Sequence, residues 1–360
     1  MDLSHLPFTL LSFAVALGVL IFVHELGHFA VAKRLGVLVQ RFSIGFGPIV
    51  FARRRGETEY AVSAVPMGGY VKMLGEDDEH EALANPDRAF STQPVVKRAA
   101  IVFAGPAMNF VFAFFVYALL FVAVGVEMPS TAPRVGGVSP GLPAEQAGLR
   151  AGDRIVSVNG ARIDTWEQLS GSVLGSKGAT LNLEVDRDGQ RFPLVVTPSL
   201  QDNRTLFGEP LPQVYRIGIE ASHEWKRVGP LEAVTMAAGQ TWTASAVVLK
   251  GLGLMLQGRV PLRELGGPIA IARAAGQQAR AGARYFLSML AFLSINLAVL
   301  NLLPIPALDG GHLAFFGYEA LMRRPMRQRH REIAQQVGLL VLITLMVFVF
   351  YNDIHRLVQG

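Results

Sequence analysis

The sequence contains no cysteine, and only 17% of its 360 residues are charged. Without cysteine the chain cannot form disulfides, iron–sulfur clusters or thiolate zinc sites, and it has no cysteine nucleophile. Any bound metal must therefore be held by His, Asp or Glu. Soluble chains carry about 25% charged residues, so this deficit, together with 51% hydrophobic residues, indicates a protein of the lipid bilayer.

Four apolar stretches approach or exceed the roughly 20 residues that a helix needs to cross a bilayer. They cover about residues 8–32, 99–126, 285–303 and 333–351. The sequence therefore predicts an α-helical polytopic membrane protein with four transmembrane helices. Its N-terminal membrane core is expected within residues 1–126 and its C-terminal membrane core within residues 285–360.

Basic residues are concentrated in the loops after the first and the third span. The first loop contains Arg53, Arg54 and Arg55, and the other contains five arginines between residues 323 and 331. The tail before the first span has neither Lys nor Arg. Loops rich in Lys and Arg stay on the cytoplasmic side. Both termini, and the region between the second and third spans, are therefore predicted to lie outside the cytoplasm.

A polar region of about residues 127–229 separates the second and third spans and predicts a small soluble α+β domain, assigned to residues 127–200. Leu181, Leu183 and Val185 alternate with polar residues, as in a β-strand, and Asp188-Gly189 is a hairpin turn signal. A short helix is expected from Thr165, with Asp164 or Thr165 as its cap.

Residues 201–284 are interpreted as a linker with amphipathic surface helices. Within them, residues 231–256 are apolar enough to suggest a fifth span, but they include Gln240 and Lys250. A span here would invert the topology of everything after it and would place the five later arginines outside, against the distribution of basic loops. We therefore expect an amphipathic segment on the outer membrane surface or packed on the spans.

The segment His24-Glu25-Leu26-Gly27-His28 matches the H-E-x-x-H pattern of zinc-dependent proteases. Residues four apart share a helix face, so both imidazoles can reach one ion. Glu25 is then predicted to be the general base towards the attacking water. Ionisable residues inside a span are costly and indicate function. The alternative is a helix end whose polar side chains reach the headgroups.

A catalytic zinc usually has three protein ligands and one open position. Asp309 is the best candidate for the third ligand. It follows Pro304 and Pro306, which interrupt the third helix, and it precedes Gly310-Gly311, where the backbone can turn. An interrupted helix is tolerated in a membrane where it lines a cavity or is buried in protein. The alternatives are a helix-ending role for Asp309 at the interface, or His312 as a rival ligand.

These motifs and the four spans resemble the site-2 protease family of intramembrane metalloproteases and, within it, the bacterial RseP type. The similarity extends over nearly the whole chain. It rests on H-E-x-x-H, on Asn-x-x-Pro-x-Pro-x-x-Asp-Gly-Gly from Asn301, and on segments from Arg41, from Glu59 and from Arg98 through Gly105-Pro106 to Asn109. The resemblance implies one Zn²⁺ per chain on His24, His28 and Asp309, with Glu25 as base. It also implies a multi-pass protein of the bacterial cytoplasmic (inner) membrane whose active site lies near the cytoplasmic side.

Segments from Val138 to Leu149 and from Gly152 to Gly160 resemble a bacterial PDZ domain. Close relatives of the RseP type often have two such domains in tandem, whereas this chain has room for one. PDZ domains capture peptide ends by strand addition. Here the domain is predicted to admit only substrates that have already been trimmed outside. A purely structural role is the alternative.

A substrate helix must unwind before its backbone can be cut, and lipid cannot satisfy the amides that are freed. Residues 59–74 predict a β-hairpin with Gly68, Gly69 and Tyr70 at or just after its turn, and the resemblance implies that this element is membrane-associated. An edge strand there can pair with the substrate. Asn296 and Asn301 in the third span are further candidates for substrate binding. The alternatives are an ordinary cytoplasmic hairpin and helix–helix hydrogen bonds. Gly105-Pro106 and Asn109 are interpreted as setting the entry and packing of the second span rather than as chemistry.

The predicted function is therefore hydrolysis of peptide bonds within transmembrane segments. The resemblance implies that the substrates are single-span proteins, either anti-sigma factor-like substrates or remnant signal peptides. A proteolytically inactive PDZ scaffold in the membrane is the alternative, and the intact Glu25 argues against it. A transporter would show inverted repeats and more spans. The basic residues follow the membrane topology, and no feature indicates nucleic-acid binding.

Overall fold

The computed structural model describes residues 5–76, 79–205, 207–261, 265–324 and 326–359. The chain forms two compact units. The first, here called the membrane unit, comprises Met1–Leu120 and Pro230–Gly360, and the second, the inserted unit, comprises Phe121–Gly229. The helices are α1 (Leu6–Arg34), α2 (Glu79–Ala84), α3 (Val95–Val124), α4 (Pro143–Gln146), α5 (Trp166–Gly175), α6 (Pro230–Leu256), α7 (Pro268–Ala281), α8 (Ala283–Asn301), α9 (Asp309–Met322) and α10 (Gln328–Gln359).

The strands of the membrane unit are β1 (Val39–Arg55) and β2 (Thr58–Met73). The inserted unit contains β3 (Val126–Pro129), β4 (Val135–Val138), β5 (Arg154–Val158), β6 (Ala161–Arg162), β7 (Leu181–Arg187), β8 (Gln190–Val196), β9 (Ser199–Arg204), β10 (Pro210–Arg216), β11 (Ile219–Ala221) and β12 (His223–Lys226).

Four helices of the described part of the chain are long and apolar enough to cross a membrane, which confirms the four predicted spans. They are α1, α3, α8 and residues Arg329–Val358 of α10. The last helix is longer than its apolar run because polar residues continue it at both ends. α6 is not among the four, although it has 27 residues. Its predicted position on the outer membrane surface stays a prediction.

Small residues allow the helices of the membrane unit to approach closely. A Cβ added at Gly27 would lie 2.2 Å from the carbonyl oxygen of Ala104, so α1 and α3 are in backbone contact. Nearer the N-terminus of α1, a Cβ added at Gly276 of α7 would lie 2.5 Å from the Thr9 hydroxyl. Because lipid tails are as apolar as leucine, close contacts of this kind are a main source of helix association in a bilayer.

The predicted β element is present, but its pairing differs from a simple hairpin of residues 59–74. Residues 41–44 of β1 pair on one side with 69–72 of β2 and on the other side with 59–62. Residues 59–62 pair in turn with 51–54 on their other side. The two halves expected to pair with each other are therefore separated by β1. A turn signal predicts local pairing and cannot reveal a strand inserted from an earlier part of the chain.

The inserted unit is the PDZ domain that the sequence predicts. Its main sheet has the order β6–β5–β7–β8, with antiparallel neighbours. The core contains Ile155, Leu169, Leu183 and Val185, all at most 1% exposed. Thr165 is the N-cap of α5, as expected, and forms a capping box with Gln168. The apolar face of an alternating strand and the helix laid over it thus make a core in which the hydrophobic effect is the main driving force.

This unit includes more of the chain than residues 127–200. β9 pairs with β10, β11 with β4, and β12 with β3. β9 to β12 therefore lie largely in the segment that the sequence pattern indicates to be a linker. β9 and β10 form a local pair, whereas β11 and β12 pair with β4 and β3, which lie far away in sequence, so the local pattern does not predict the last two strands.

Candidate metal centre

Both motif histidines lie on the same face of α1 and point into the membrane unit. His24 and His28 are each only 8% exposed, and their Nε2 atoms are 3.2 Å apart. This proximity follows from the helical repeat, since residues four apart lie one above the other. Two nitrogen ligands are thus brought together by local structure alone.

Asp309 is the first residue of α9 and comes from the far end of the sequence. The turn before it is so tight that a Cβ added at Gly310 would lie 2.1 Å from the carbonyl oxygen of Leu303, and one added at Gly311 would lie 2.4 Å from that of Ile305. Only glycine fits at these two positions. The turn places the carboxylate oxygens of Asp309 3.1 Å from Nε2 of His24 and 3.6 Å from Nε2 of His28.

The three residues fit a zinc ion. Zinc bonds to His and Asp are about 2.0–2.2 Å long, so the ligand atoms of a tetrahedral site are separated by about 3.3 Å. Here the two Nε2 atoms are 3.2 Å apart, Nε2 of His24 is 3.1 Å from Oδ2 of Asp309, and Nε2 of His28 is 3.6 Å from Oδ1 of Asp309. Oδ2 of Asp309 is buried and has no hydrogen-bond donor among the described residues. A bare carboxylate oxygen facing two imidazole nitrogens has the chemistry of a cation ligand, and two His with one carboxylate are a known catalytic zinc set.

The charge of Asp309 is also favoured. Burial by itself raises the pKa of this carboxyl, but the two facing imidazoles outweigh burial and lower the pKa below its usual range. Asp309 therefore stays ionised, as a metal ligand must be.

The other ring nitrogens of the histidines also have partners. Nδ1 of His28 lies 2.9 Å from the carbonyl oxygen of Ile101, and Nδ1 of His24 lies 3.1 Å from Nδ2 of Asn109. Both partners belong to α3. A Cβ added at Gly105 of the same helix would lie 2.3 Å from Nε2 of His28, so α3 fits the imidazoles closely. Such second-layer contacts orient metal ligands.

Glu25 is half-buried next to the histidines, on the side of the β element. A Cβ added at Gly69 would lie 3.0 Å from Cγ of Glu25, so β2 passes directly over this side chain. Gly68 has a φ of +134° and faces the ring of Phe46, and Tyr70 accepts a hydrogen bond from Arg41 at 3.2 Å. The structure thus brings Gly69 to Glu25 and puts Gly68 and Tyr70 on either side of it in the strand.

The two candidate asparagines of the third span differ in position. Nδ2 of Asn301 is 3.5 Å from Nε2 of His24. The Asn296 side chain instead donates to the carbonyl of Phe292 in its own helix and is half-buried. The structure therefore brings Asn301, but not Asn296, to the centre.

His312 is not part of the group of His24, His28 and Asp309 that can reach one ion among the described residues. It lies one turn into α9, where burial lowers its pKa and keeps the imidazole neutral, and its ring contacts Phe315.

Sequence reasoning missed the contact of Asn109 with His24. A signal was present, because an amide in an apolar span is expensive unless it is hydrogen-bonded. Asn109 and Gly105 are four residues apart and hence on one helix face, but no local pattern indicates that this face meets α1.

Comparisons with known proteins identify the family of this chain. Residues 12–345 match Peptidase family M50. A protein of Brucella suis, named as a candidate zinc metalloprotease, is 38% identical over 96% of this chain and 95% of its own length. Protease RseP of Yersinia pestis is 34% identical over 97% and 99%, and the Regulator of sigma-E protease RseP of Salmonella typhimurium is 33% identical over 97% and 98%. A solved PDZ domain from Listeria monocytogenes covers 27% of this chain with 20% identity and a TM-score of 0.20.

The alignment with the Yersinia protein extends over 452 residues, whereas this chain has 360, so more than 90 aligned positions have no counterpart here. The chain belongs to peptidase family M50, the site-2 protease family of zinc-dependent metalloproteases, and is a multi-pass membrane protein of the RseP type.

Proposed function

We propose that this protein cuts peptide bonds within the membrane, with zinc held by His24, His28 and Asp309 and with Glu25 as the general base. The observation that carries the proposal is the triangle of two Nε2 atoms and one carboxylate, with edges of 3.1–3.6 Å, inside a bundle of membrane-length helices. Buried groups of this kind are costly in a bilayer and are retained for function.

Zinc supplies the Lewis acid, which polarises the scissile carbonyl and lowers the pKa of water. Glu25 accepts the proton of the attacking water and passes it to the leaving amine, which is the work of a positioned carboxylate. Asn301 is near enough to His24 to donate a hydrogen bond to the carbonyl oxygen as negative charge develops there. Asn296 is retained only as a more distant contact for the substrate, since its amide is hydrogen-bonded within its own helix.

The β element is proposed to hold the substrate extended. Residues 69–72 pair on one side with 41–44, and among the described residues no strand occupies their other edge. Gly69 places this part of β2 against Glu25. A substrate strand added along Gly68, Gly69 and Tyr70 would satisfy its freed amides and pass its backbone in front of the base.

The substrates are proposed to be single-span membrane proteins of the anti-sigma factor kind and remnants of signal peptides. The proposal is supported by the relatives named as regulators of sigma-E and by a centre built from membrane helices. The basic loops place the centre near the cytoplasmic side of the bacterial inner membrane and place both termini and the PDZ domain outside. The PDZ domain would then act as a filter for trimmed substrates.

The topology can be tested by labelling, because the chain has no native cysteine. Single cysteines introduced at Gln240 and Gln257, near the middle and just beyond the end of α6, are both expected to react with a membrane-impermeant reagent from the outer side. Reaction of Gln257→Cys only from the cytoplasm would show that α6 crosses the membrane and would refute this topology.

The test of the chemistry is Glu25→Gln, assayed on a tagged single-span substrate with the full-length protein in detergent. The wild-type protein is expected to cleave the substrate, to lose this activity when a zinc chelator is added, and to regain it when zinc is restored. Glu25→Gln is expected to lose activity by about 10²–10⁴-fold or more, because the base is removed. It should keep about one zinc per chain, because all three ligands remain.

Glu167→Gln, the same change at an exposed position of the inserted unit, is the matched control and should retain full activity. Cleavage by Glu25→Gln at the wild-type rate would rule out Glu25 as the base. Loss of zinc from that variant would make Glu25 a ligand instead. A chain that binds zinc but never cleaves would support the scaffold alternative.

A further inference from the structure

Asn109 is one of the most deeply buried polar residues of the membrane unit. It is 0% exposed, and its Nδ2 lies 3.1 Å from Nδ1 of His24. Its Oδ1 is buried without a hydrogen-bond partner in the described part of the chain. Ser294, also 0% exposed, donates to the backbone carbonyl of Asn109 at 2.9 Å and fixes this turn of α3 against α8. The side-chain amide of Asn109 lies against one imidazole nitrogen, so it influences whether that nitrogen donates or accepts a hydrogen bond.

The two histidines meet different partners on α3. Nδ1 of His28 faces a backbone carbonyl, which only accepts, so this nitrogen carries the proton and Nε2 keeps its lone pair for the metal. Nδ1 of His24 faces the amide nitrogen of Asn109, which only donates. Nδ2 of Asn301 lies 3.5 Å from Nε2 of the same ring, so both ring nitrogens of His24 face an amide nitrogen, and a neutral imidazole can accept from only one of them. A metal ligand needs the lone pair of Nε2, so Nδ1 must carry the proton and needs an acceptor beside it.

The oxygen and nitrogen ends of a side-chain amide occupy nearly the same space, so the Asn109 amide can turn end for end without repacking. Oδ1 then accepts from Nδ1–H of His24, and Nε2 keeps its lone pair. No described residue donates to Oδ1 where it lies, so the turned amide gives up no hydrogen bond of that oxygen. A metal on Nε2 would favour the turned amide, because it requires the lone pair of that nitrogen.

We propose that Asn109 is the positioning residue of His24: its Oδ1 accepts from Nδ1–H of this ring and so holds the tautomer whose Nε2 can bind the metal. This inference rests on the proposed ligands His24, His28 and Asp309. The role requires an acceptor at position 109 and no donor, a requirement that a merely space-filling residue does not have.

The experiment measures the dissociation constant of zinc by competition with a chromophoric chelator, with full-length variants in detergent. Asn109→Leu keeps the approximate size but has no polar atom, and it is expected to bind zinc about 10–100-fold more weakly. Asn109→Asp has two acceptor oxygens in the same place and is expected to retain most of the affinity. The cobalt(II) absorption spectrum of Asn109→Asp should match that of wild type, because the ligands are unchanged.

Ser12→Ala is the packing control. It removes a buried hydroxyl from α1 far from the centre and should bind zinc as wild type does. The inference is overturned if Asn109→Leu binds zinc as tightly as wild type, or if Asn109→Asp is as weak as Asn109→Leu. A further variant, His24→Ala, separates the two proposals. If it binds zinc normally, the proposed ligand set fails; if it loses zinc while Asn109→Leu does not, only the role of Asn109 fails.

Discussion

The two units of this protein both bury apolar residues, but they differ in the polar residues buried with them. The interior of the inserted unit is aliphatic, with Ile155, Leu183 and Val185 at most 1% exposed. The interior of the membrane unit contains His24, His28, Asn109 and Ser294, all at most 8% exposed. Its outer surface is the apolar one, where Phe115, Leu119 and Val347 are all more than 60% exposed.

The difference shows what each solvent allows. Water drives apolar side chains into the core of the inserted unit, so packing of large side chains stabilises it. Lipid gives no such drive, so the membrane unit depends on close backbone contacts and on hydrogen bonds between polar groups. The same polar interior that stabilises the membrane unit also provides its metal centre. Three predictions test this contrast, from the largest effect to the smallest.

Gly105→Ala should have the largest effect and should act on the metal. The added methyl would lie 2.3 Å from Nε2 and 2.4 Å from Cε1 of His28, so either the ring or α3 must move. We expect zinc affinity to fall by about 100-fold, the upper range for a disturbed second layer, and proteolysis to be lost. The readouts are zinc per chain and chelator competition. Gly18→Ala is the control, because no atom lies within 4 Å of its added methyl. Equal zinc affinity in both variants would contradict the close fit of α3 to the histidines.

Asp153→Asn should act on the inserted unit and leave the metal untouched. Asp153 is 1% exposed and accepts two hydrogen bonds of 2.7 Å from Arg187. Removing its charge leaves the guanidinium without its counter-ion, at an expected cost of about 2–4 kcal/mol in the stability of this unit. This loss of stability is measured by hydrogen exchange of the β5 and β7 amides in the full-length protein. Asp164→Asn, in the exposed pair with Arg162, should cost less than about 1 kcal/mol.

The effect of Asp153 depends on pH in a defined direction. Burial raises the pKa of its carboxyl, but the hydrogen bonds from Arg187 and from the backbone amide of Arg150 lower this pKa by more than burial raises it. The pKa in the folded protein therefore lies below the usual value. The stabilisation is therefore fully present above the ordinary pKa of about 4 and is lost as the pH falls through the lowered folded value. Wild type and Asp153→Asn should become more alike in acid. A difference in stability that grows towards acid would have the wrong sign for this account.

The smallest effect is expected for the ion pair between α3 and α9. Arg98 donates to Glu319 at 2.6 Å, both side chains are less than 20% exposed, and the guanidinium lies 4.9 Å above the ring of Phe316. Thermal unfolding of Arg98→Gln, Glu319→Gln and the double variant should give a coupling energy of about 0.5–3 kcal/mol. Additive effects would mean that the pair does not connect the two helices that carry Asn109 and Asp309.

Much of the fold was predictable because its signals are local. The length of an apolar run predicts a span, and alternation predicts the strands of the inserted unit. Thr165 and Gln168 predict the start of α5 through their capping box. The pairing of β11 with β4 and of β12 with β3 was not predicted, and neither was the insertion of residues 41–44 between 59–62 and 69–72. These pairings join distant segments, and the sequence pattern contains no record of which edges meet. The local pair of β9 and β10 was missed as well.

The candidate site divides in the same way. By itself the sequence determined that His24 and His28 share a helix face, because the helical repeat is fixed, and that the chain turns before Asp309, because proline and glycine restrict the backbone. Only the tertiary structure decided that Asp309 faces these histidines at 3.1–3.6 Å and that Asn109 contacts one of them. In lipid, which helices pack together depends on close contacts of small residues, such as Gly27 against Ala104. Such a contact depends on the shapes of two helix surfaces, which the sequence of either helix alone does not reveal.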